Sequence, residues 1–230
     1  MYGSRFKLRS AHSLQLTING SMLENVTSQK ILGIYVENTL KWNIQIDDVC
    51  KKINSKVNLL KKIKHCLNHN SRMLFYNAYI MPIFDYCCHI WGKENKTYIN
   101  KINKIQVRIA KIILDKPLRA HSENIFAEIQ LLSFNRRCMY HTAVLVYKTL
   151  NNMSPSYLSE SLIVSNNSSY NLRSKSHRDI VLVSTPRTNY LKDTFQFYGM
   201  TIWNCIPPNI RNITQLNSFK TNYKKYLLQK

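Results

Sequence analysis

The chain has 230 residues, 44% of them apolar and 11% aromatic, with 33 Lys and Arg against 12 Asp and Glu. A chain of this length can bury roughly 70% of its unfolded surface, which excludes a wholly disordered protein. The net charge of +21 opposes compaction unless a polyanion neutralises it, so nucleic acid is the leading class of partner. No stretch nears the ~18 consecutive apolar residues of a membrane span, and MYGSRFKLRSAHS lacks the apolar core of a signal peptide. The expectation is an intracellular protein, nuclear or cytoplasmic, neither secreted nor membrane-bound.

In chain order, Leu14, Leu16 and Ile18 alternate before the Asn19-Gly20 pair, and an apolar run follows from Ile31 to Val36. Leu14–Trp42 therefore predicts a β-hairpin or short meander. The period then changes. Ile46, Val49, Ile53, Val57, Leu60 and Ile63 recur every three or four residues, the stripe of an amphipathic helix. Asn68 to Ser71 supplies a break and a new N-cap, and a second helix is expected over Arg72–Ile80, disturbed at Pro82 and continuing toward Trp91. A third, Tyr98–Leu114, carries Ile102, Ile105, Ile109 and Ile112 on one face. Helices are expected over Ser122–Leu131 and Phe134–Leu150. Ser165–Arg178, polar and basic, reads as an exposed linker. A short strand, Ile180–Val183, a helix over Asp193–Asn204, the Pro207-Pro208 break and a helix over Gln215–Leu228 complete the chain. The fold class is mainly α, with a short N-terminal β-hairpin or meander and a small C-terminal α+β part.

Local sequence offers little for catalysis. Metal-dependent phosphoryl transfer needs converging carboxylates, and the one adjacent acidic pair, Asp47-Asp48, falls in the first turns of a helix. Its members point about 100° apart there, which fits stabilisation of the helix N-terminus better than metal binding. His65, Cys66 and His69, and likewise Cys87, Cys88 and His89, lack the paired spacing that a tight turn presents to zinc. No catalytic and no metal-ligating residues are assigned. The six cysteines, Cys50, Cys66, Cys87, Cys88, Cys138 and Cys205, form no paired framework and read as reduced, mostly buried thiols.

The stronger signal is cationic. On the third helix Lys101, Lys104, Arg108 and Lys111 share an arc beside the isoleucines, and no acidic residue lies between Tyr98 and Leu114. Bound phosphates would relieve the repulsion among them. On the first helix Lys51 and Lys62 lie opposite the apolar stripe with Lys52 and Lys61 on its flanks, while Lys56 and Lys64 fall near the apolar face and must snorkel. These eight, Lys51, Lys52, Lys61, Lys62, Lys101, Lys104, Arg108 and Lys111, are the expected phosphate contacts.

The run Lys30-Ile31-Leu32-Gly33-Ile34, then Leu40-Lys41-Trp42, Ile46 and Val49-Cys50-Lys51-Lys52-Ile53, resembles the segment that closes the palm of reverse transcriptases of non-LTR (LINE-type, jockey-like) retrotransposons and leads into the thumb. Tyr76, Pro82, Tyr86-Cys87 and Trp91-Gly92 resemble the family's Y…P…YC…WG pattern, and Gln106, Arg108, Lys111 and Ile112-Ile113 its QxRxxRII-like helix. Leu131, Leu132, Phe134 and Arg136-Arg137 resemble its LxxLxxRR segment, and Pro155-Ser156-Tyr157-Leu158 its PSYL turn. Trp203-Asn204, Ile206-Pro207, Ile210-Arg211 and Ser218-Phe219-Lys220 resemble the closing module of the same polyproteins. Gln45 stands where a His is common, and Val107 where Asn is usual.

The resemblance implies an end-of-palm β segment over 1–41, a helical thumb-like domain over 42–164, a basic linker over 165–178 and a C-terminal α+β module over 179–230. It implies a primer-grip role for Leu32 and Gly33, and a partner that is an RNA/DNA duplex held by its phosphates, with element RNA as a further candidate partner. No Tyr-x-Asp-Asp occurs, so the expectation is a fragment of an RNA-directed DNA polymerase without its catalytic palm, inactive alone. Magnesium is implied for the intact polymerase and no cofactor for this chain. A stand-alone basic helical adaptor that binds nucleic acid or protein for the host is the alternative, and a small enzyme with dispersed site residues a third reading.

Overall fold

The computed structural model describes residues 16–93, 96–120, 125–162, 186 and 188–229. They fall into two compact units, one holding the residues up to Phe84 with those of 96–105, the other Asp85–Lys93 and the residues from Gln106 onward.

The first unit begins with two separate antiparallel hairpins rather than a continuous meander, and Leu14 lies outside the described residues. Strands β1 (Thr17–Ile18) and β2 (Ser21–Met22) turn through Asn19 and Gly20, both at positive φ, as the Asn-Gly pair predicts. Strands β3 (Ser28–Ile31) and β4 (Ile34–Glu37) pair with Ile31 opposite Ile34, so Leu32 and Gly33 are not strand residues. They form the two-residue turn, at φ 48° and 84°.

Helix α1 (Asn43–Ile63) buries the expected stripe, with Ile46, Ile53, Val57 and Leu60 wholly inaccessible. Asp47 and Asp48 do not serve its N-terminus. Glu37 of β4 does, its carboxylate accepting from Ile44 N at 3.1 Å, because a carboxylate arriving from outside the helix can aim at the orphan amides of the first turn. Gln45, buried, accepts from Tyr35 N at 2.9 Å and ties the second hairpin to α1.

Asn68 caps α2 (His69–Phe75) by accepting from Ser71 N. The helix does not then break at Pro82. A π-helical segment, Tyr76–Ile80, widens the turn ahead of it, with Met81 N bonding Tyr76 O, and α3 (Met81–Asp85) follows. The wider turn accommodates the bond that a proline ring denies to the helix. Cys87 in the left-handed region (φ 53°) then ends the run expected to reach Trp91 and starts a single turn, α4 (Cys88–Trp91). Helix α5 (Lys96–Ile113) contributes its first half to the first unit and its second half to the other.

In the second unit α6 (Ile125–Glu128) is one turn, shorter than the expected Ser122–Leu131, because Gln130 adopts the left-handed conformation; Ser122 is outside the described residues. Helix α7 (Phe134–Leu150) is the hub. Its N-terminus is capped by the buried Gln106, whose Oε1 accepts from Phe134 N at 2.7 Å while its Nε2 donates to Leu132 O. Trp91 stacks on Phe134 at 5.2 Å and donates Nε1–H to Tyr86 O. Beside it Gly92 tolerates no side chain: a Cβ there would lie 2.3 Å from Cys88 O and 2.4 Å from Cys138 Sγ.

After α8 (Ser156–Ser161) and α9 (Asn189–Lys192), helices α10 (Phe195–Asn204), α11 (Pro208–Arg211) and α12 (Leu216–Gln229) close on α7. Tyr147 of α7, Trp203 of α10 and Phe219 of α12 form one aromatic stack, Tyr147 and Phe219 at 4.5 Å. The residues on either side of the expected 165–178 linker thus share a single core. That linker and the expected strand Ile180–Val183 lie outside the described residues, and the elements described within 179–230 are helices.

Candidate nucleic-acid interface

The second hairpin and α1 place the sequence-predicted residues of the first unit. Leu32, at the turn, is 86% exposed. Along α1 the core stripe faces inward, so Lys51, Lys61 and Lys62 stand in solvent, and no ion pair engages them among the described residues. Lys51 and Lys62 lie eleven residues apart on the side away from the core, about 16 Å along the axis. Lys52 is also exposed but pairs with Asp48 one turn earlier, at 2.6 Å. Lys56 is half-buried, as a snorkelling side chain near the apolar edge should be.

The four cations of α5 do not stand alike. Lys101 pairs with Asp47 of α1 at 3.1 Å, and that carboxylate pushes its ammonium pKa up; its Nζ also lies 4.8 Å from the Tyr98 ring centre. Lys104 is exposed, and Arg108 is half-buried. Lys111 is buried and donates to Leu118 O at 2.9 Å and Ala120 O at 2.6 Å. The cause is the chain that follows: Asp115 at φ 56° and Lys116 N bonding Lys111 O turn the backbone back over the last helical turn. There its carbonyls meet the ammonium. Helical spacing put Lys111 with Lys104, and the returning loop covers it.

A second grouping, in the other unit, escaped the local sequence reading. Arg137 of α7 reaches Asp85 with both ends of its guanidinium, Nε donating to Oδ1 at 2.7 Å and Nη2 to Oδ2, and His141 Nε2 lies 3.1 Å from Oδ1. Burial raises the Asp85 pKa, but hydrogen bonds from His141 and Arg137 outweigh it and hold the carboxyl below its usual range. The Cys88 thiol is pushed up by its hydrogen bond to the Cys138 thiol and then by burial. Asp85, Cys88 and His141 bring ligating atoms within 4.8 Å of one another, the one such group among the described residues. Nearby, Lys93 donates to Asp193 O at 2.7 Å with its Nζ 3.7 Å from the centre of the Tyr198 ring, and burial pushes its pKa down to about 8. The signals that could have found these contacts are spacings, Asp85-x2-Cys88 and Cys138-x2-His141, separated by a stretch that only the fold closes.

Magnesium does not fit what is described. A hard cation takes oxygen ligands, Asp47 and Asp48 are engaged by lysines, and Asp85 is a single carboxylate held by an arginine beside a thiol and an imidazole. His65, Cys66 and His69 are all exposed. Cys50, Cys88 and Cys138 are buried and all six cysteines free. No described helix is long and apolar enough to cross a membrane.

Comparison with known proteins agrees with the resemblance read from the sequence. Over 119 residues, 50% of this chain and 13% of the relative, it is 23% identical to the RNA-directed DNA polymerase from mobile element jockey of Drosophila funebris. Over 87 residues, 36% of this chain and 10% of the relative, it is 25% identical to the probable RNA-directed DNA polymerase from transposon X-element of Drosophila melanogaster. No family model and no solved structure matches. The curated homologues are thus RNA-directed DNA polymerases of non-LTR retrotransposons, and the matched stretch is a small fraction of each.

Proposed function

We propose that this chain grips a template–primer duplex for a non-LTR retrotransposon RNA-directed DNA polymerase, corresponding to the region that follows the catalytic palm, and that it works through phosphates rather than by reading bases. The observation that carries this reading is the outer face of α1, where Lys51, Lys61 and Lys62 are exposed and free of ion pairs among the described residues. Exposed cations unmatched by acids are the groups that release counterions when phosphates replace them.

Lys104 joins them, and Leu32 with Gly33 would meet the backbone as a primer grip; all six belong to the first unit. Lys52 and Lys101 contribute by exchanging Asp48 and Asp47 for phosphate, a smaller gain because one ion pair replaces another. Arg108 is a marginal contributor, being half-buried. Lys111 is withdrawn from the contact set, since its ammonium is spent on two carbonyls.

The test is duplex binding across a salt series. Replacing Lys51, Lys61 and Lys62 together by Gln should flatten the slope of log affinity against log salt by up to about 0.9 per lost contact on duplex DNA, with little dependence on base sequence. A variant that keeps its helical circular dichroism and its slope would remove α1 from the interface.

A further inference from the structure

We propose that Asp85, Cys88, Cys138 and His141 form a zinc site, two ligands from the turn between α3 and α4 and two from α7. The pattern is two pairs at x2 spacing on two segments, as structural zinc sites use it. Asp85-x2-Cys88 spans the left-handed residue Cys87, which swings the second ligand back toward the first. Cys138 and His141 are three apart on one helix and so share a face. The fold brings the pairs together: Asp85, Cys88 and His141 already place ligating atoms within 4.8 Å of one another, and the Cys88 and Cys138 thiols are hydrogen-bonded.

Zinc bonds of 2.0–2.3 Å set ligand–ligand edges of roughly 3.3–3.8 Å in a tetrahedron; His141 Nε2 and Asp85 Oδ1, at 3.1 Å, are already at about that spacing, and no edge among Asp85, Cys88 and His141 has more than about 1 to 1.5 Å to close. Two thiols and an imidazole select zinc over hard cations. Two thiolates and a carboxylate around a divalent ion leave one negative charge, and Arg137, forked onto Asp85, supplies the opposing one. On binding, both thiol protons leave to solvent. The neutral imidazole coordinates through Nε2, its proton moving to Nδ1, and the metal replaces the His141–Asp85 hydrogen bond. Cys88 is buried, but Asp85 and His141 are partly exposed and give the ion a way in.

The reduced, metal-free chain is titrated with zinc(II) and cobalt(II). The expected result is one equivalent bound, a thiolate-to-cobalt charge-transfer band with the strong visible absorption of tetrahedral cobalt, and a melting temperature raised by zinc. Cys87→Ser keeps all three. Cys88→Ser and Cys138→Ser each lose part of the charge-transfer band, and His141→Gln, at a partly exposed position, weakens zinc binding while leaving the metal-free chain folded. No uptake by folded wild type overturns the proposal. So does a charge-transfer band that survives in a folded variant lacking both Cys88 and Cys138, since other cysteines would then hold the metal. Duplex binding through α1 is measured separately and does not depend on either outcome.

Discussion

Leu32 occupies a turn position that asks for another residue. A two-residue hairpin turn with both central φ positive favours Asn-Gly, the pair that makes the first hairpin, and a left-handed L-residue costs about 1–2 kcal/mol. The leucine side chain recovers none of this by burial, being 86% exposed. Leu32→Asn should therefore stabilise the protein by about 1 kcal/mol, read as a higher denaturation midpoint. If the leucine is kept for contact with duplex, the same variant should bind more weakly. A variant that is both more stable and fully competent in binding would show that the strain serves nothing at that tip.

At the scale of elements, α5 separates what a helical wheel can tell from what it cannot. Its apolar face was legible because Ile102, Ile109 and Ile112 recur at helical spacing, and all three are buried. Lys111 was not, because exposure at a helix end depends on the loop that leaves it. Lys111→Met should cost about 1–3 kcal/mol by stranding the two loop carbonyls its ammonium satisfies, with the salt dependence of duplex binding unchanged; a flattened slope in the folded variant would return Lys111 to the interface. The hairpins were legible through their turn residues and α1 through its stripe. The acceptor at the α1 N-terminus lies in the neighbouring strand, at Glu37, so the spacing of Asp47 and Asp48 within their own helix does not reveal it.

For the molecule as a whole, the residues that carried the family resemblance turn out to be mostly architectural. Trp91 and Gly92 pack on α7, Gln106 caps it, Arg137 pairs with Asp85, and Trp203 and Phe219 fill the aromatic stack. Replacing any of them would cost the fold before it touched a phosphate contact. The grouping around Asp85 was illegible locally, because its two pairs are about fifty residues apart in sequence and only packing of α4 against α7 joins them. The charge signal was legible in amount but not in place. Composition counts cations without saying which are already matched to Asp47, Asp48 or a carbonyl.

The π-helical segment has a consequence for phase. Tyr76, Ile80 and Phe84 are all buried at intervals of four, and in a uniform α-helix each such interval would drift about 40° around the axis. A turn one residue wider cancels part of that drift and lets the three side chains enter the same core. Deleting the exposed Ala78 would restore an ordinary turn and remove no buried atom, yet it would leave Tyr76 and Ile80 three residues apart, about 60° out of line around the axis. Calorimetry should find this deletion far more damaging than Ala78→Ser, because the segment acts as a phase corrector whose residue count, not its residue identity, is what the core depends on.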